Sequence, residues 1–132
     1  MIFLSEEVDK IEVGDIVILD KSKSRFKTKL ATDLVNKNHM FLVLDRDPIT
    51  ICPISSNMNK VSKRYPDNVE ILNWKDANLR KPSYAGIDVR GVIGQKEVYK
   101  IVGRISNKDK WRILNTYASG RRRLKIENNS IK

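Results

Sequence analysis

The feature that most limits how this chain can fold is its hydrophobic pattern: short, β-branched apolar runs broken by turn residues, then one late switch to helical spacing. Residues 13–19, VGDIVIL, flanked by Gly14 and Asp20, read as a buried strand. Residues 39–45, HMFLVLD, form a second, which turns through Arg46, Asp47 and Pro48 into a third over Ile49–Ile54. Strands that close in sequence pair as an antiparallel hairpin. Val69–Trp74 is a fourth. Over Ser83–Ile93, Ile87, Val89, Gly91 and Ile93 alternate with Asp88, Arg90 and Val92, as in one strand with one buried face. Val98–Ile105 is the last strand.

Beyond it Trp111, Leu114 and Ala118 recur at helical spacing, with Ile113 and Tyr117 on a flanking stripe. Ser106 and Asp109 resemble a capping box, and Gly120 is placed to stop the helix, predicting one helix over 107–119. Several short strands and one late helix make a mainly β (α+β) fold, a small, partly open β-barrel. At 132 residues there is room for one core, over residues 1–120, followed by a loosely ordered basic tail, 121–132.

Charge points to the partner. Lys and Arg number 26 against 16 acids, a net charge of +10, with a pI near 9.8. Such an excess favours a polyanion, because cationic side chains displace the counterions condensed on phosphates. No apolar run approaches the roughly 18 residues that span a bilayer, and the opening MIFLSEEVDK lacks the basic and apolar regions of a secretory signal. One cysteine excludes an internal disulfide framework, and one histidine with one cysteine builds no familiar zinc site. A cytoplasmic protein without metal or cofactor is the expectation.

Two basic clusters and three side chains carry the candidate chemistry. Lys21, Lys23, Arg25, Lys27 and Lys29 repeat at two-residue spacing; in an extended segment all five point one way, as a phosphate-binding comb, and otherwise they belong to a solvated loop. Met58–Tyr65 supplies a second cluster, with Lys60, Lys63 and Arg64. His39, the only histidine, stands at a strand mouth where it can exchange a proton with a ribose or a leaving oxygen, or be a plain surface histidine. Ser55 and Ser56, after the third strand, can donate to phosphate oxygens or simply satisfy a turn. If strands 39–45 and 49–54 pair, His39 and Ser55 share one end of the sheet. RNA carries its own nucleophile, the 2′-OH, so such a site need only align it, move protons and neutralise charge. Cys52 reads as a core residue of the third strand, with no base to activate it.

The order of these segments resembles the MazF/PemK family of toxin endoribonucleases: GDIVILD, a variable loop, HMFLVLD, ICPISSN, VEIL, then SYAGIDVRGVIG and IVGRIS running into the helix, together residues 11–118. The resemblance implies an SH3-like barrel that dimerises, cuts single-stranded RNA without metal to leave a 2′,3′-cyclic phosphate and a 5′-hydroxyl, and is held by a cognate antitoxin in its RNA groove. His39 stands where the family has a catalytic Arg, and Ser55, beside Ser56, where it has a Thr. Imidazole can transfer protons and Ser keeps the hydroxyl, but a permanent charge and a bidentate fork are lost. The family's Gly-rich stretch before that Arg is replaced by the basic segment. Two rival readings use the same barrel: a non-catalytic module gripping nucleic acid or a topoisomerase, and an inactive family member kept for its partner.

Overall fold

The computed structural model describes residues 11–23, 38–56, 68–87 and 89–131, with 120–131 as helical backbone only. The strands are β1 (Asp15–Leu19), β2 (Met40–Arg46), β3 (Ile49–Ser55), β4 (Val69–Ile71), β5 (Ser83–Ala85), β6 (Gly91–Ile93) and β7 (Val98–Arg104), followed by helix α1 (Asn107–Ile131). Every described pair is antiparallel, in the order β4-β5-β3-β2-β1-β7, with β6 also on β3. The sheet curls without closing, giving the expected mainly β, partly open barrel with a C-terminal helix.

β2 explains why the curl is stable. Phe41, Leu42, Val43 and Leu44 are all buried because the sheet is covered on both faces. Leu42 and Leu44 join Ile16, Cys52 and Ile54 in one core, which Ile113 and Tyr117 of α1 cover. Phe41 and Val43 join Val17, Leu19 and Ile51 in the other, with Ile11, Ile93 and Val98. The period of two sorts neighbours to opposite cores, and each such aliphatic side chain contributes about 1.5–3 kcal/mol by leaving water.

The expected strand over 83–93 is in fact two. β5 pairs with Ile54 and Ser55, β6 with Ile49–Ile51, and the two registers differ. Pro53 lies between them with no N–H to offer a ladder. Its carbonyl instead accepts the Gly86 N–H at 2.8 Å, and a Cβ on Gly86 would stand 3.3 Å from both Pro53 Cγ and Pro53 O. The fourth strand is likewise shorter than expected, ending at Ile71 before a turn that begins at Leu72.

The helix departs from expectation in three ways. It runs on to Ile131, through Gly120 and the residues expected to be a loose tail. Extending a helix already nucleated adds one hydrogen bond per residue, and Arg, Leu, Lys and Glu favour it. Secondly, the buried stripe is Asp109, Ile113 and Tyr117, while Trp111 is 70% exposed. Thirdly, only half of a capping box forms: Ser106 Oγ accepts the Asp109 N–H at 3.2 Å, but the Asp109 carboxylate turns towards β4. It accepts the backbone N–H of Leu72 at 3.1 Å and of Asn73 at 2.8 Å, and an N–H of Arg112 at 2.6 Å. This buried anchor fixes the rotation of α1.

Candidate active site

The β2–β3 hairpin positions the proton-transfer candidate beside the hydroxyls. Phe41 pairs with Pro53, so two residues further out His39 and Ser55 meet at the end of the hairpin away from its turn. Asn38, at φ 56°, swings the chain into β2. The His39 ring is half-buried, edge-on to Phe41 at 72° with centroids 5.7 Å apart. Ser55 is half-buried as the last residue of β3 and pairs with Tyr84 of β5; Ser56 is exposed just beyond.

His39, Ser55 and Ser56 all line one open groove of about 600 Å³. The apolar side chains of Met40, Ile54 and Val102 form part of its lining. A further wall is the connection between β4 and β5, which contributes Asn78, Arg80 and Lys81. Sequence reading missed this wall. The available signal was the adjacent pair Arg80-Lys81, held by Pro82 just ahead of a strand.

That wall is braced. Ala77 N–H donates to Asn73 O at 3.2 Å, Asn78 N–H to Lys75 O at 3.1 Å, and Leu79 N–H to Trp74 O at 3.0 Å. Asn78, at φ 66°, donates from Nδ2 to Val102 O on β7 at 2.8 Å. Leu79 is buried in the core, and Ser83 Oγ donates to Lys81 O at 2.9 Å. A Cβ on Gly103 would overlap the carbonyl oxygen of Ala77, so the wall seats on β7 through a residue without a side chain.

The lysine comb fares differently. Lys21 and Lys23 are exposed but belong to a turn, where Asp20 Oδ1 accepts Ser22 N–H at 2.9 Å and Ser22 Oγ–H at 2.7 Å. The hydroxyl and N–H of Ser22 hold the Asp20 carboxyl below its ordinary range. A turn does not hold alternate residues on one side, and neither lysine lines the groove. Arg25, Lys27, Lys29, Lys60, Lys63 and Arg64 lie outside the described residues. Cys52 is fully buried, and burial pushes its thiol up to about 12, consistent with a core residue. Among the described residues no group of three or more His, Cys, Asp or Glu gathers where a metal could be held, and no helix is long and apolar enough to cross a membrane.

A solved endoribonuclease from Mycobacterial species superposes with a TM-score of 0.56, covering 83% of this chain and 88% of that one at 13% identity. The chain is similar in fold to an RNA-cutting enzyme. No protein-family model matches the sequence, and no curated protein matches it.

Proposed function

We propose that this chain is a toxin endoribonuclease of the MazF/PemK type, cutting single-stranded RNA in the cytoplasm by internal attack of the 2′-OH, without metal. The observation that carries the reading is the groove that joins His39, Ser55 and Ser56. The +10 charge, the order of motifs over 11–118 and the fold likeness to an endoribonuclease support it.

In the proposed reaction a ribose O2′ attacks the adjacent phosphorus and the bond from phosphorus to O5′ breaks. A 2′,3′-cyclic phosphate and a 5′-hydroxyl result, and the net proton movement is from O2′ to O5′. His39 is the group that exchanges a proton with the reacting ribose or the leaving oxygen. Ser55, with Ser56 in support, donates to the non-bridging oxygens as charge builds on them. A homodimer and a cognate antitoxin that occupies the groove complete the reading.

The test is incubation of the purified protein and its His39→Ala variant with a long unstructured RNA in excess EDTA, followed by mapping of the ends. Discrete cuts by the wild type that vanish in the variant are expected. Cuts that survive in the variant move the proton transfer away from His39; RNA bound but never cut makes the chain a binding module.

A further inference from the structure

The groove holds a demand that His39 and the serines leave unmet. A phosphodiester carries one negative charge, and attack by a deprotonated O2′ brings a second onto the phosphorane-like transition state. An imidazole that gives or takes a proton is not a constant cation through the step, and Ser55 and Ser56 are neutral. A fixed positive charge elsewhere in the groove would lower the barrier further, and among the described residues the Arg and Lys side chains that line it are Arg80 and Lys81.

We propose that Arg80, with Lys81 beside it, forms the anion subsite that grips the scissile phosphodiester and compensates the charge developing on it. The inference rests on the ribonuclease reading for its catalytic half and on the groove alone for its binding half. Three observations carry it. Both side chains are exposed and line the same groove as His39 and Ser55. Among the described residues neither forms an ion pair, whereas Arg104 is paired with Glu12 and Asp15 and Arg112 with Asp109. And the backbone of the dipeptide is anchored, between buried Leu79 on one side and the bond from Ser83 Oγ to Lys81 O on the other. That anchorage keeps the roots of both cationic side chains at the groove that His39 and Ser55 line. Guanidinium stays charged at any working pH and presents a planar fork that fits two phosphate oxygens; the Lys81 ammonium adds a point charge.

Two measurements on the full chain separate the halves: single-turnover cleavage of an unstructured RNA, and affinity for the same sequence made with 2′-O-methyl riboses, which cannot be cut. Arg80→Ala is expected to slow cleavage by roughly 10²–10³-fold, with the uncuttable strand bound less than about tenfold more weakly, and Arg80→Lys to recover part of the rate. Arg80→Ala/Lys81→Ala is expected to weaken the uncuttable strand further and to flatten its salt dependence by about 0.7 in log–log slope for each phosphate no longer neutralised. Both residues are exposed, so an unchanged urea midpoint checks that the variants fold. A double variant that cuts and binds as the wild type does overturns the proposal. If the wild type itself cuts nothing, the ribonuclease reading has failed, and the uncuttable strand still decides the subsite: weakened binding in the double variant supports it, equal binding refutes it.

Discussion

The Asp109 carboxylate accepts the backbone N–H of Asn73 at 2.8 Å, across 36 residues of sequence. With the Leu72 N–H and Arg112 on its other oxygen, it ties the first turn of α1 to the turn that leads into the groove's cationic wall. Asn73 Nδ2 strengthens the tie by donating to Ser106 Oγ at 2.8 Å. One buried acid thus serves both the rotation of the helix and the seating of residues 72–81.

Removing that acid strands the donors it serves. Asp109→Ala is expected to cost about 1–3 kcal/mol in all, because the donors it leaves are only partly buried and can turn to water, read as a lower urea midpoint at constant m-value. Asp109→Asn keeps an acceptor oxygen and should lose less.

The same residue gives the stability a pH dependence. Burial acts to raise the Asp109 pKa, but the bond from Arg112, those from Asn73 and Leu72, and the Arg112 charge outweigh it and hold the carboxyl below its ordinary value. An acid depressed in the folded state binds its proton more readily once unfolded. Its contribution is therefore fully present above the unfolded value, about 3.9, and is lost as pH falls through the folded one. Urea midpoints taken from pH 5 downward should fall more steeply for the wild type than for Asp109→Asn; parallel curves would remove Asp109 from the acid response.

Gly103→Ala tests the seat of the wall. The new Cβ would collide with Ala77 O, so the turn or β7 has to move, at about 1–3 kcal/mol. Thermal unfolding should show the loss, and affinity for uncuttable RNA should drop with it. Gly94→Ala is the control: its Cβ would meet only Glu97 Oε2, at 3.6 Å.

Ser55→Ala should slow single-turnover cleavage by about 10²-fold, the usual order for removing one donor to a developing oxyanion, and Ser55→Thr should keep most of the rate. A Ser55→Ala enzyme as fast as the wild type would confine Ser55 to its strand-end role.

Cys52 should ignore iodoacetamide in the native protein at pH 7.5, since the thiol is fully buried and pushed up to about 12, and alkylation needs the exposed thiolate. Labelling should appear only across the urea transition.

How far each feature was legible follows from how local its cause is. The strand–turn–strand unit at 39–55 is set by neighbours in sequence: an apolar run, Asp47-Pro48 and a second apolar run. Its closure puts His39 and Ser55 at one end whatever the rest of the chain does, so half of the groove was readable. The break in the expected 83–93 strand was not, because Pro53, more than thirty residues away, imposes it through a hydrogen-bond ladder that only pairing reveals. Nor was the outward turn of Trp111, since the rotation of α1 is decided by where the Asp109 carboxylate finds its donors.

By itself, then, the sequence determined the class of fold, the hairpin that aligns His39 with the serines, the buried character of Cys52 and the cationic surplus, because periodicity, turn chemistry and net charge act over a few residues or over none in particular. The tertiary structure alone decided which cations face that end of the hairpin. Arg80 and Lys81 reach the groove because Leu79 enters the core, Asn78 bonds Val102 O, and Gly103 leaves room for Ala77, and each of these contacts joins segments that nothing short of the packed barrel brings together.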